Sequence, residues 1–208
     1  MASSKAQKRN TLYANLMDEA KVRIELINST ANGRGSYHPV IVREFCYLQL
    51  RMLCELLALS CLVAHGDIGS LQSHKVGKAY SADEILDRLT KLRPHFYPEA
   101  VRQESTGPGK FILHRVNPSP LPKEELLTLY GKTHRYLHRG SLKRMLSMDT
   151  PIDTKVDLPE IISWAQKMNA LLSLHAISVS TDEVILCVLR NHNDNMKVQV
   201  ATAEALPD

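Results

Sequence analysis

Several kinds of pattern are missing from this chain, and each absence narrows what it does. No Cys-x-x-Cys pair occurs among its four cysteines, Cys46, Cys54, Cys61 and Cys187. The first three are seven or eight residues apart in one apolar segment. On a straight helix such neighbours are about 10 Å or more apart, too far to bridge. They read as small buried hydrophobes of a reducing compartment, not as disulfides or a zinc site. Aromatic residues make up only 5%, a poor supply for stacking on nucleic-acid bases. The nine glycines never cluster into a loop that cradles phosphate, and no P-loop, GxGxxG, GxSxG, HExxH or zinc-knuckle spacing occurs. Nucleotide-dependent enzymes of the common kinds are thereby disfavoured, and no motif implies a cofactor. The opening decapeptide MASSKAQKRN has no apolar signal core. The most apolar run, Leu56 to Ala64, is too short to span a bilayer and is flanked by Glu55. A soluble, cytoplasmic protein with no membrane partner is expected. There is no internal repeat and no low-complexity tract.

What the chain does contain is enough apolar material for one core. Its 208 residues are 44% hydrophobic and 23% charged, ordinary values for a globular domain. The net charge of +4 and pI of about 8.9 lean mildly toward an acidic partner such as RNA or DNA. The richest segment is Val40 to His65, a helical pattern that is apolar nearly all round and therefore belongs inside a protein. Its charges, Glu44, Arg51 and Glu55, lie at i, i+7 and i+11, on one face. Buried charges must be paired or chemically employed. The pair Arg51 and Glu55 has the i, i+4 spacing of an ion pair, so the stripe is expected to be a buried or dimer-interface network that fixes register. A carboxylate raised in pKa to serve as a general base is the competing reading. His65 is expected to cap the end of this helix.

Around it the periodicity predicts further helices. Residues 8–28 carry Leu12, Leu16, Ala20, Ile24 and Ile27 on an amphipathic face, ending at a loop rich in Asn and Gly. Pro39 opens the central helix and Gly66 closes it. Ser81 and Glu84 form a capping box ahead of a helix bearing Ile85, Leu86, Leu89 and Leu92, which Pro94 ends. His95 to Pro98 is extended, Thr106 to Gly109 a turn, Lys110 to Val116 a short strand, and Asn117 to Pro122 a rigid linker. Lys123 to about Met148 is helical, weakened by Gly131 and Gly140, with a break near Arg139. Asp149 to Asp157 is a loop and Leu158 to Leu174 a last helix. His175 to Val179, Val184 to Leu189 and Met196 to Ala203 run or alternate as strands, with Asn191 to Asn195 a turn.

The strings YSADEILDRLTKLRPHFYPEA and LTLYGKTHRYLH, with the closing helix and hairpin, resemble a family of bacterial proteins without an assigned biochemical role, over about the last two-thirds of the chain. The helical part is similar to HEPN-type helical bundles, which include dimeric RNases of toxin and phage-defence systems. That resemblance implies a homodimer and metal-independent RNA cleavage by an arginine and a histidine acting together at a dimer cleft. Arg88 and His95 match the longest form of the HEPN spacing. With 13 arginines and 9 histidines, about one or two such matches arise by chance, so the spacing alone says little. Pro94 also ends the helix between them.

Two further constellations lie together. His134 and His138 are at i, i+4 and can hold a metal on one helix face, although the third ligand is missing locally and Arg135 and Arg139 raise the potential beside a cation. Lys132, His134, Arg135, His138, Arg139, Lys143 and Arg144, interleaved with Tyr130 and Tyr136, form a basic helix able to meet phosphates. Its ordinary reading is a solvated helix face.

The expected fold is mainly α: a helical bundle around a buried central helix, about residues 40–65, with a small C-terminal β-hairpin or meander, about residues 175–203. It forms one domain, with 1–174 the helical part and 175–208 an appendage. The expected function is a helical interaction or regulatory protein, forming a homodimer and meeting RNA or DNA through the basic helix. A HEPN-type RNase and a metal-assisted hydrolase are the alternatives.

Overall fold

The computed structural model describes residues 2–33, 37–65, 81–93, 95–137 and 154–204. Five helices are present there: α1 (Ala2–Ala31), α2 (Pro39–His65), α3 (Ala82–Leu92), α4 (Lys123–Leu137) and α5 (Thr154–Leu172). Strands β1 (Glu99–Gly107) and β2 (Lys110–Arg115) fall between α3 and α4, and β3 (Leu174–Ser178), β4 (Glu183–Asn191) and β5 (Lys197–Glu204) follow α5. The chain is thus mainly helical, with a sheet.

Helix α2 is the centre of the core. Fifteen of its 27 residues are buried, and it packs against α1, α3, α4 and α5. By length and composition it is the one helix among the described residues apolar enough to cross a membrane, yet 67% of its most apolar window is buried in the fold. That burial fits the core helix of a soluble protein. Helix α1 lies along α2 and buries Tyr13, Met17, Ala20, Ile24 and Ile27, a seam at alternating steps of four and three. Leu12, expected on that seam, is 39% exposed. The seam passes to Tyr13 because helix α1 also has to meet the sheet.

The sheet corrects the expected small C-terminal hairpin. It has five antiparallel strands in the order β2-β1-β3-β4-β5. The C-terminal meander is only three-fifths of it. The other two strands come from the middle of the chain, joined edge-on through Glu99–Ala176 and Ala100–His175. Strand β1 gives little advance notice because its sequence, EAVRQESTG, buries only Ala100 and Val101 at its inner end. Its place comes from ladder hydrogen bonds to a strand some 75 residues later, a partner no local pattern reveals. Strand β4 alternates: Ile185, Cys187 and Leu189 join the helical core, while Leu186 packs with Val101 and Ala176 on the other face.

Local details also differ from expectation. Ser81 occupies the cap position of α3, but its side chain makes no capping bond. It bonds Asp83 instead, lowering that carboxyl's pKa, and Glu84 is drawn forward to Arg88. Helix α5 starts at Thr154, inside the expected loop, and carries Pro159. The expected break near Arg139 and Gly140 lies outside the described residues. Turns fall where glycine and asparagine placed them. Gly109 closes β1–β2 at φ 70°, and Asn195 and Met196 close β4–β5 at φ 47° and 61°.

Two expected outcomes follow from this packing. Leu57→Ala, at a site 1% exposed, should lower unfolding stability by about 2–5 kcal/mol in urea titration with the m-value kept. Gly131→Ala should raise it by about 0.5–1 kcal/mol, because Gly131 is helical and an added methyl meets nothing within 4 Å.

Candidate functional site

The stripe read on α2 is split by the fold. Arg51 Nε lies 3.1 Å from Glu55 Oε1, and a terminal nitrogen of Arg51 donates to the Tyr130 hydroxyl of α4 at 2.8 Å. That hydroxyl donates in turn to Glu55 Oε1 at 3.3 Å. The guanidinium also lies 4.5 Å from the Tyr130 ring centroid, within cation–π reach. Arg51 and Glu55 keep 26% and 24% of their side-chain surface. Burial raises the pKa of Tyr130, Arg51 opposes the rise and Glu55 adds to it. This is a closed triad in which every charge has a partner, and it clamps α4 to α2. One turn away, the Tyr47 and Tyr136 rings stack at 3.9 Å and 9°, with Arg43 over Tyr136. Glu44 stands apart, half-buried, with no hydrogen bond or ion pair among the described residues.

A second polar cluster, which sequence reading missed, sits inside the core. The Tyr13 hydroxyl of α1 is 2.6 Å from His175 Nε2 on β3, and His175 Nδ1 is 2.9 Å from the Leu172 carbonyl. A carbonyl only accepts, so Nδ1 carries the proton and Nε2 accepts from Tyr13. Cys187 faces His175 across the β3–β4 pair, while Ser60 and Cys61 of α2 approach Tyr13. Burial holds the His175 pKa down at about 4 and raises that of Tyr13. The histidine is a neutral joint between α1, α5 and the sheet. Only the alternating strand around His175 hinted at an inward position; nothing local pointed to Tyr13 as its partner.

The other sequence-derived candidates are dispersed. Arg88 pairs with Glu84 on its own helix, and His95 is exposed beyond the end of α3. His65 does not cap α2: its Nε2 contacts the Phe96 carbonyl at 3.2 Å, and burial lowers its pKa. Lys132 is tied to Glu160 of α5, which also accepts from Trp164. His134 and Arg135 are exposed near the end of α4, while His138, Arg139, Lys143 and Arg144 lie outside the described residues. Among the described residues no three His, Cys, Asp or Glu side chains gather as a metal site. All four cysteines are free and buried, and burial raises the thiol pKa of each, to about 11 for Cys46 and about 12 for Cys61 and Cys187.

The remaining feature is apolar. Ile41, Leu48 and Leu59 are 51%, 43% and 38% exposed, although they belong to the helix that forms the core. With the half-buried Phe45 and Met52 they follow one line along α2 at steps of four and three, interrupted by Glu55 between Met52 and Leu59. Arg23 of α1 donates to the buried Gln49, so α1 forms one shoulder of this line, and the Arg51–Tyr130 contact makes α4 the other. Comparison with protein-family models, curated proteins and solved structures finds no match to this chain.

The buried histidine makes stability depend on pH. His175 titrates near 6.5 when unfolded and near 4 when folded. Between these values the unfolded chain binds the extra proton, so stability falls as pH drops through that window, by about 3 kcal/mol in all. Urea titrations from pH 7.5 to 4.5 should show this slope. His175→Gln, which keeps an acceptor for Tyr13, should be less stable at pH 7.5 and lose that part of the slope. An unchanged slope would mean that His175 is not held neutral.

Proposed function

We propose that this protein is a non-catalytic helical interaction module whose binding surface is the outward face of α2, acting in the cytoplasm. The observation that carries this reading is the exposure of Ile41, Leu48 and Leu59 on one line of an otherwise buried helix. Scattered exposed apolar residues are ordinary, but a line unbroken from Ile41 to Met52 and resumed at Leu59 beyond Glu55, between two polar shoulders, has the shape of a contact surface. The clamps at Arg51–Tyr130 and Tyr47–Tyr136 tie α4 to α2 beside this line, which lowers the ordering cost of binding. Four free, buried thiols support a reducing compartment.

Nucleic-acid contact at the end of α4 is the second reading, and the exposure of His134 and Arg135 favours it. Lys132 weighs against it, since its charge is engaged by Glu160. If phosphates dock there, affinity for RNA or DNA should fall about tenfold or more from 50 to 200 mM salt; a flat response removes the reading. The RNase and metal-hydrolase readings have no comparable support: Arg88 is held by Glu84, and His134 and Arg135 are solvent-facing.

The principal reading is tested by a photoreactive benzophenone side chain at position 48, irradiated in the cell that makes the protein. Covalent adducts should form there and be absent with the same group at exposed Arg102 on β1. No adduct from position 48 overturns the reading. Leu48→Glu should leave urea stability within about 0.5 kcal/mol, as expected for an exposed site, and abolish interactions made through this face.

A further inference from the structure

We propose that the occupant of this face is a second copy of the chain, its α2 packed antiparallel about a two-fold axis between residues 46 and 47. In that arrangement Ile41 meets the partner's Met52, Phe45 meets the partner's Leu48, and Glu44 pairs with the partner's Arg51. The inference rests on the reading of the α2 face as a binding surface and deepens it by naming the partner.

The argument starts from spacing. Ile41, Phe45, Leu48, Met52, Glu55 and Leu59 recur at alternating steps of four and three, the period of a two-helix seam. Glu44 and Arg51, seven residues apart, share one flank of it. A two-fold axis across antiparallel helices brings the same flank of each copy together, so register alone decides which charges meet. Three registers oppose four or more seam positions. The one centred between residues 53 and 54 sets Leu48 against Leu59 but buries the Glu55 carboxylate against Met52, which leaves two. One, centred on residue 50, sets Ile41 against Leu59 and Leu48 against Met52. It also stacks Arg51 on the partner's Arg51 and buries the Glu55 carboxylate against Phe45. The other, centred between residues 46 and 47, gives four wholly apolar layers. It brings Glu44 beside the partner's Arg51 twice, and sets Glu55 opposite the partner's His38. Charge complementarity selects the second.

The unoccupied valences agree. Glu44 has no partner among the described residues. Arg51 uses Nε on Glu55 and one terminal nitrogen on Tyr130, and its other terminal nitrogen has no bond among those described. The size of the face sets the strength. In this register the overlap runs from Ile41 to Met52, about 17 Å long and about 10 Å wide, on the order of 200 Å² per copy. Stable dimers bury about 800 Å² per partner. Leu12 and Leu26 on α1, 39% and 40% exposed and on the same helical face as Arg23, extend the surface without reaching that figure. A weak dimer, populated only at high protein concentration, is expected.

The test is sedimentation of the full chain from 1 to 200 μM, with variants. Wild type should pass from monomer to dimer across this range. Glu44→Arg, which sets like charges together, should weaken the dimer at least tenfold, and adding Arg51→Glu should restore it. Circular dichroism and urea titration check that each variant folds. If the swap alone is unstable, register is read by oxidation. With the four native thiols buried, Ile41→Cys with Met52→Cys should give a disulfide-linked dimer, and Ile41→Cys with Leu59→Cys should not. A monomer at every concentration, insensitivity to Glu44→Arg, or the reverse cross-linking pattern overturns the proposal. Photoadducts at position 48 with other proteins but never with a second copy overturn it while leaving the binding-surface reading intact; no adduct removes both.

Discussion

The burial of α2 is the constraint on which the rest of the structure depends. A 27-residue helix so rich in Leu, Cys, Val and Ala has to be covered on almost every side, and any one neighbouring helix covers only one side of it. Four helices are recruited to it, and α1, at 30 residues the longest of them, buries Tyr13 to Ile27 in the shared core. The sheet then packs at Tyr13 of α1, which meets His175 of β3 as well as Ser60 and Cys61 of α2. Among the described residues, a line from Ile41 to Leu59 is left partly exposed.

Polar groups in this core are arranged so that removing them from water leaves few bonds unmade. Tyr13, His175 and the Leu172 carbonyl form a chain whose donors and acceptors match only if the histidine is neutral. Arg51, Tyr130 and Glu55 do the same at the edge, where partial exposure lets the charges survive. Both arrangements join elements far apart in sequence: α1 to β3, and α2 to α4. Their contribution is as much to specificity as to stability, because a displaced helix would leave a buried hydroxyl or imidazole without its partner.

The helices were legible in the sequence because each carries its own period. The central one was legible most clearly, and its Arg51–Glu55 pair follows from i, i+4 spacing alone. The sheet was half legible. Strands β3, β4 and β5 alternate and are joined by strong turns, whereas β1 is polar along most of its length and is a strand because β2 and β3 flank it. The capping box at Ser81 and the capping role of His65 failed for one shared reason: a side chain with several possible partners takes the one that tertiary packing brings near, here Asp83 and the Phe96 carbonyl. The basic helix was read from a charge count, yet Lys132 meets Glu160 only after α4 and α5 pack.

What the sequence by itself determined is periodicity: where helices run, which one is central, where turns break the chain, and that the cysteines are buried hydrophobes. These properties are set by residues within a turn or two of each other. Only the tertiary structure decided that β1 and β2 join the C-terminal strands, that Tyr13 and His175 meet, and that one line of the core helix faces water. Each of those depends on a contact between residues tens to more than a hundred positions apart. Backbone hydrogen bonding and exclusion of water specify such contacts through the assembled whole, with no local signal in the chain.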